Sequence, residues 1–187
     1  MKDGSSRQGP EGVADKIPNA VAFIAGRSGT GKTTLMEALL TVLKGKGYRV
    51  GTVKHSGHQA AMDREGSDSW RFTQAGADIT VLAASGQLAV LRNIDQPSLE
   101  DALLEASSGT DIVLVEGFKE MNLPKIEVYR SEHSEGLYFR RDKEPDPYLI
   151  AVASDTPLDI DVPVLNLNDP EEVCKFIVER FLKSRDS

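Results

Sequence analysis

Apolar positions along the chain change period in step with the residues that punctuate it. Ala20-Val21-Ala22-Phe23-Ile24-Ala25 is a short unbroken apolar run that stops at Gly26, the signature of a strand covered on both faces. From Thr33 to Lys44 the apolar residues Leu35, Met36, Leu39, Leu40 and Leu43 recur at three and four, which predicts an amphipathic helix closed by Gly45 and Gly47. Tyr48 to Lys54 reads as a second strand, and residues 55 to 69 as a long polar loop. A short helix is expected over Ser69 to Ala75. Strands are expected over Ile79 to Ala83 and Leu88 to Arg92, turning at Ser85-Gly86.

Pro97 suits the first turn of a helix running to Ala106, with Leu99, Leu103 and Leu104 as its stripe. Asp111 to Val115 predicts another buried strand. Ile126 to Arg130 and Leu137 to Arg140 are expected to pair as a hairpin around Ser134-Glu135-Gly136. Tyr148 to Ala153 and Val162 to Leu165 read as further strands, and Asn168-Asp169-Pro170 opens a last helix over about 170 to 183. Strands alternating with helices imply an α/β fold with a mostly parallel sheet. Residues 1–18, rich in Gly, Ser, Pro and charge, read as a flexible N-terminal tail, and residues 19–187 as one domain.

Composition narrows the partners. Of 187 residues, 22 are Lys or Arg and 29 are Asp or Glu, a net charge of −7 that argues against nucleic acid and anionic membrane surfaces. The single cysteine, Cys174, sits at helical spacing among Val173, Ile177 and Phe181, so a buried core thiol in a reducing cytoplasm is expected. No apolar run reaches the ~18 residues that a membrane span requires.

The chemistry concentrates after the first strand. Gly26-Arg27-Ser28-Gly29-Thr30-Gly31-Lys32-Thr33 matches G-x-x-x-x-G-K-[ST] in full, between an apolar strand and an amphipathic helix. Gly26, Gly29 and Gly31 permit backbone angles and close approach that a Cβ would block. The loop amides then form an anion nest at a helix N-terminus. Lys32 is placed to reach the β- and γ-phosphates and Thr33 to offer its hydroxyl to Mg²⁺. Arg27 either touches phosphate or is solvated. The motif points to a nucleoside triphosphate without naming the base.

In an open parallel sheet, ligands bind beyond the carboxyl ends of the strands. That rule separates Asp111 from Glu116, which lie roughly 16 Å apart along one strand at about 3.3 Å per residue. Glu116 falls on the phosphate side, where it holds Mg²⁺ through water, positions attacking water, or caps a turn with Gly117. Asp111 is expected to be solvated or part of a turn. Lys54-His55-Ser56-Gly57-His58 also follows a strand end. Its two histidines favour polar contacts with nucleotide or partner over a metal site, because a closed site needs more ligands. Lys54 is a candidate phosphate contact. In the long loop, Asp63 and Asp68 are candidates for Mg²⁺, as switch-loop carboxylates are, or are solvated. Asp155 follows another strand and either accepts the edge of a guanine base or caps a turn.

Read in order, these segments carry a resemblance. The phosphate loop runs on into Thr34-Leu35, and Thr52-Val53-Lys54-His55-Ser56-Gly57-His58 comes next. Gly66-Ser67-Asp68-Ser69-Trp70-Arg71 and Gln74-Ala75-Gly76-Ala77 follow, then Val115-Glu116-Gly117-Phe118-Lys119 and Pro124-Lys125-Ile126-Glu127-Val128. From about residue 20 to about residue 180 the series resembles MobB, the molybdopterin-guanine dinucleotide biosynthesis adaptor family. The resemblance implies a P-loop NTPase-like fold with helices on both faces of the sheet and a β-hairpin extension.

It also implies a cytoplasmic homodimer that binds GTP and Mg²⁺ with at most slow hydrolysis. Such a protein assists a MobA-type molybdenum cofactor guanylyltransferase, which joins GMP to molybdopterin, and can meet other molybdenum cofactor proteins. The family's loop positions carry over to Gly29, Gly31, Lys32, Thr33 and Thr34, and its carboxylate to Glu116. Ser56-Gly57 stands where a bulkier Thr-His pair is expected, and Ser67 where a lysine is. The competing class, a small-molecule kinase, calls for an arginine-rich lid, for which Arg140-Arg141 is the sole adjacent pair. A nickel-delivery GTPase calls for a His-rich tail or a Cys motif, and the chain has neither.

Overall fold

The structure, a computed structural model, describes residues 19–55, 61–139 and 146–182. The tail, the segment Ser56-Gly57-His58 and the pair Arg140-Arg141 fall outside these. Ala20–Ile24 (β1) carries five buried residues in succession because neighbours cover both of its faces. Val50–Lys54 (β2), Ile112–Glu116 (β5), Lys125–Tyr129 (β6), Leu149–Ser154 (β7) and Val164–Asn166 (β8) join it in a six-stranded sheet of order β2-β5-β1-β6-β7-β8. Every pairing in that sheet is parallel.

Side chains alternate across each strand, so the sheet feeds two cores. Val21 and Phe23 face a cluster with Leu35, Leu39 and Leu43 of the helix Lys32–Gly45 (α1) and Val173, Cys174 and Ile177 of the helix Pro170–Phe181 (α4). Ala20, Ala22 and Ile24 face the opposite cluster, with Leu99 and Leu103 of the helix Leu99–Ser107 (α3). Each fully buried Leu of these stripes contributes about 1.5–3 kcal/mol over its exposed state. Cys174 is a buried free thiol, as its spacing predicts. Among the described residues no helix is long and apolar enough to cross a membrane.

The chain divides into two compact units, with residues 56–98 forming the second. That unit holds the helix Asp68–Gln74 (α2) and an antiparallel hairpin, Ile79–Ala84 (β3) and Gln87–Arg92 (β4). Its turn has Ser85 and Gly86 at φ 47° and 77°, two consecutive left-handed residues of the kind a primed hairpin turn requires.

The expected hairpin over 126–140 is not present. Ile126 to Tyr129 belongs to β6, an inner strand held between β1 and β7, and residues 137–139 form no strand. The alternation Lys125-Ile126-Glu127-Val128 suggests one wet face, yet all four residues are buried. Both charges have partners instead. Lys125 donates to Asp146 at 2.7 Å and lies over the Phe139 ring, 4.9 Å from its centroid. Glu127 accepts the backbone N–H of Tyr138 at 2.5 Å and of Phe139 at 3.3 Å. Satisfied in this way, a charged residue can occupy a central strand.

Burial pushes the Glu127 carboxyl above its ordinary value near 4.5, against the pull of the two N–H donors and Lys119. An acid whose folded pKa is raised stabilises the fold fully below its unfolded pKa and loses that contribution as pH rises through the folded pKa. We therefore expect the unfolding free energy of the wild type to fall relative to Glu127→Gln as pH rises from below about 4.5. Above the folded pKa the difference levels off at a constant offset from the lost acceptor. Urea unfolding of both proteins across pH checks this, and a difference independent of pH would contradict it.

Candidate nucleotide site

The carboxyl ends of β1, β5 and β2 bring three loops together. After β1 the backbone turns through Gly29 and Gly31 at φ 81° and 96°, left-handed angles that cost a side chain about 1 kcal/mol or more. Gly31 is the N-cap of α1, which has no side-chain cap bond and no acid in its first turn. The other N-termini with described caps are filled: Ser67 accepts from Trp70 N on α2, and Asp169 accepts from Glu171 N and Glu172 N on α4. The first amides of α1 thus lack a side-chain acceptor and carry the positive end of the helix dipole, which suits an anion.

The expected loop residues divide by burial. Gly26, Arg27, Ser28 and Gly29 are exposed, as are Thr33 and Thr34 at the start of α1, whereas Thr30 is fully buried. The Thr30 side chain turns inward, with no hydrogen-bond partner for its hydroxyl among the described residues. Thr30 can therefore meet a ligand only through its backbone. Arg27 forms an exposed ion pair with Glu135 and also lines the cavity beside the loop.

Three groups meet at the opposite wall. Thr33 donates its hydroxyl to Glu116 Oε2 at 3.1 Å, and Lys54 Nζ lies 3.5 Å from the same oxygen. Lys32 donates to the Arg27 carbonyl at 3.4 Å. Desolvation holds the Lys32 ammonium below its ordinary pKa, Glu116 opposes that shift, and Lys119 and Lys54 add to it. Lys32, Lys54, Lys119 and Arg27 outnumber the carboxylates Glu116 and Glu120 here, in a chain whose net charge is −7. A cavity of about 560 Å³ opens there, lined by Gly26, Lys32, His55, Glu116, Phe118 and Lys119 among others.

Glu116 leads into a strained turn, with Gly117 and Phe118 both left-handed at φ 95° and 54°. For a residue as bulky as phenylalanine that angle is a true outlier, of the kind that concentrates at binding sites. A Cβ at Gly117 would come 3.2 Å from the His55 Cβ. His55 donates its backbone N–H to the Glu116 carbonyl, and its ring packs against Phe118 at a 42° tilt, centroids 4.6 Å apart. The imidazole is thereby part of the cavity wall. Its expected companion His58 lies outside the described residues.

Three further carboxylates have protein partners, although Asp63 Oδ2 is buried with none among the described residues. Asp111, expected to be solvated or in a turn, instead binds Arg49 at the far end of β5. It accepts the Arg49 backbone N–H at 2.7 Å and its guanidinium at 2.8 Å, tying the starts of β2 and β5 together. Asp63 belongs to the 56–98 unit and accepts from Arg64 N at 2.7 Å and from the Ser67 hydroxyl. Hydrogen bonding, first from Ser69, holds its carboxyl below the usual range. Asp155 accepts from Ser131 N at 2.9 Å and Ser131 Oγ at 3.2 Å.

Lys119 has no place in the phosphate motif, and in sequence it stands only as the end of the Val115–Lys119 segment, without a role. It donates to the Gly26 carbonyl at 3.2 Å and sits 4.4 Å from the centroid of Tyr138, whose hydroxyl donates to Glu120. Its position two residues beyond Gly117, after the carboxyl end of β5, is the signal that could have found it. The donor set fits a triphosphate with a hard divalent cation. No group of three or more His, Cys, Asp or Glu side chains able to hold a metal occurs among the described residues. Thr33 Oγ1 and Glu116 Oε2, 3.1 Å apart, are the oxygen donors that would hold such a cation beside the phosphates.

The chain matches the family described as MobB, molybdopterin guanine dinucleotide synthesis protein B, over residues 21–155. It is 40% identical over 156 residues to the molybdopterin-guanine dinucleotide biosynthesis adapter protein of Haemophilus influenzae, covering 82% of this chain and 85% of that one. Identity to the adapter protein of Escherichia coli is 38% over 172 residues, covering 89% and 96%. Among solved structures, Bacillus stearothermophilus MobB homolog superposes with TM-score 0.61 at 30% identity, covering 85% of this chain and 95% of that one. Bacillus subtilis MobB superposes with TM-score 0.69 at 25% identity, covering 89% and 99%. With a nucleotide-binding loop, a matching fold and relatives at this identity, the chain belongs to the MobB family of molybdopterin guanine dinucleotide synthesis proteins.

Proposed function

We propose that this protein is a cytoplasmic GTP-binding adaptor. It would hold GTP and Mg²⁺ at the Gly26–Thr33 loop and assist a MobA-type guanylyltransferase in converting molybdopterin to its guanine dinucleotide. The observation that carries the reading is the uncapped N-terminus of α1 beside the contact of Thr33 with Glu116. The preference for guanine rests on the relatives, whose names specify a guanine dinucleotide. Loop amides would cradle the β-phosphate, while Lys32 and Lys54 offset charge toward the γ end. Thr33 and Glu116 would hold Mg²⁺, which supplies charge neutralisation across the phosphates. Glu116 is also the carboxylate able to orient water, and the family resemblance implies at most slow hydrolysis.

Calorimetric titration checks the binding step. GTP is expected to bind in the presence of Mg²⁺, with affinity reduced by about a hundredfold or more in Lys32→Ala, since a desolvated charge-assisted contact is lost. Unchanged affinity in that variant would sink the reading. Reconstitution with the guanylyltransferase at limiting GTP then separates adaptor from kinase. Greater dinucleotide yield supports the adaptor, and a phosphorylated small molecule supports the kinase.

We also infer that the protein is a homodimer. Its support is the hairpin, where Ile79, Val81, Leu88 and Val90 share one face and are 48%, 54%, 68% and 46% exposed. So dense an apolar stripe marks an interaction surface. Sedimentation is expected to give a dimer for the wild type and a monomer for the double variant Val81→Glu, Val90→Glu; a persisting dimer would refute the assignment.

A further inference from the structure

β1 lies between β5 and β6, so the phosphate loop that follows it has two flanks. On one flank stands Glu116, at the carboxyl end of β5, with Thr33 and Lys54 against it. On the other flank β6 ends at Tyr129, and the next residue is Arg130. A Cβ at Gly31 would come 3.5 Å from Arg130 Nη2 and 3.9 Å from its Nε. The guanidinium therefore lies against the residue that caps α1, beside the amides that face an anion.

Arg130 is held there from behind. Its Nη1 is 3.9 Å from Asp155 Oδ2, beyond hydrogen-bond length, so this carboxylate steers the guanidinium without occupying its fork. Asp155 is itself fixed at both oxygens by the backbone N–H and hydroxyl of Ser131. The Arg130 backbone is pinned too: its N–H donates to the Ser134 hydroxyl at 3.4 Å, and its carbonyl accepts from His133 N at 3.0 Å. The Arg130 side chain is 32% exposed and that of Asp155 15%. A planar five-donor cation, oriented by a tethered carboxylate and lying beside the residue that caps α1, is suited to phosphate oxygens.

We propose that Arg130 is a further phosphate ligand of the bound nucleotide, reaching it from the flank opposite Glu116, and that Asp155 and Ser131 are its positioning residues. The inference rests on the nucleotide reading of the loop. It gives Asp155 a different task from reading a guanine edge. The glycine at 31 is required by its backbone angle, φ 96°, and a Cβ there would meet the guanidinium only at ordinary contact distance.

The test titrates the full chain, in wild-type form and as Arg130→Ala, Arg130→Lys, Asp155→Asn and Lys32→Ala, with GTP plus Mg²⁺ and separately with tripolyphosphate, which has no base. Arg130→Ala is expected to weaken both ligands by about tenfold to a hundredfold, the range for one charge-assisted contact. Arg130→Lys should recover part of that loss, since it restores charge but not the fork. Asp155→Asn should fall between Arg130→Ala and the wild type. Thermal unfolding of each variant near the wild-type midpoint separates the effect from misfolding. Arg130→Ala within twofold of the wild type, with Lys32→Ala abolishing binding, would overturn the assignment. So would a loss for GTP with tripolyphosphate unaffected, which would move Arg130 to the nucleoside. A wild-type chain that binds neither ligand would instead defeat the nucleotide reading beneath it.

Discussion

The site depends on a helix that begins without a cap. Gly31 opens α1 in a left-handed conformation, no side chain among the described residues caps the first amides, and no acid sits in the first turn. On α2 and α4 the same need is met by Ser67 and by Asp169 with Glu171 and Glu172. Leaving backbone donors without a side-chain acceptor is a cost that a ligand removes on binding. The helix tolerates it because its stability comes from elsewhere: Leu35, Met36, Leu39 and Leu43 are buried against the sheet. Packing fixes the helix, and its first turn is left to the anion.

That arrangement requires the sheet to be parallel and β1 to be internal. Parallel strands bring the ends of β2, β5, β1, β6 and β7 to one edge, so Lys54, Glu116, the loop, Arg130 and Asp155 all follow strand ends there. The far edge does different work. Asp111 and Arg49 join two strand beginnings with a paired charge and take no part in the chemistry. Two acids five residues apart on one strand thus have unrelated tasks, fixed by which end each occupies.

Much of this was legible in the residues themselves. The unbroken apolar run of β1, the three-and-four spacing of α1 and the complete phosphate motif located the loop, and the strand-end rule put Glu116 and Lys54 beside it. What escaped reading was whatever depended on a strand's neighbours. Lys125-Ile126-Glu127-Val128 alternates like a strand with one wet face, but Asp146 and two backbone N–H groups neutralise its charges and let β6 lie inside the sheet. The predicted hairpin over 126–140 failed for that reason, while the one around Ser85-Gly86 formed. The roles of Arg130 and Lys119 were equally hidden. A single cation after a strand has no period or motif, and its meaning appears only once the strand order places it beside Gly31 or Gly26.

The central claim is that nucleotide and metal meet at the loop between Thr33 and Glu116. A crystal structure with a slowly hydrolysed GTP analogue and Mn²⁺ in place of Mg²⁺ tests it most directly, since Mn²⁺ is located by its anomalous scattering. One metal peak is expected beside Thr33 Oγ1, near the Glu116 carboxylate, with the β-phosphate on the amides at the start of α1. A metal peak away from both residues, or an analogue bound outside the loop, would contradict it.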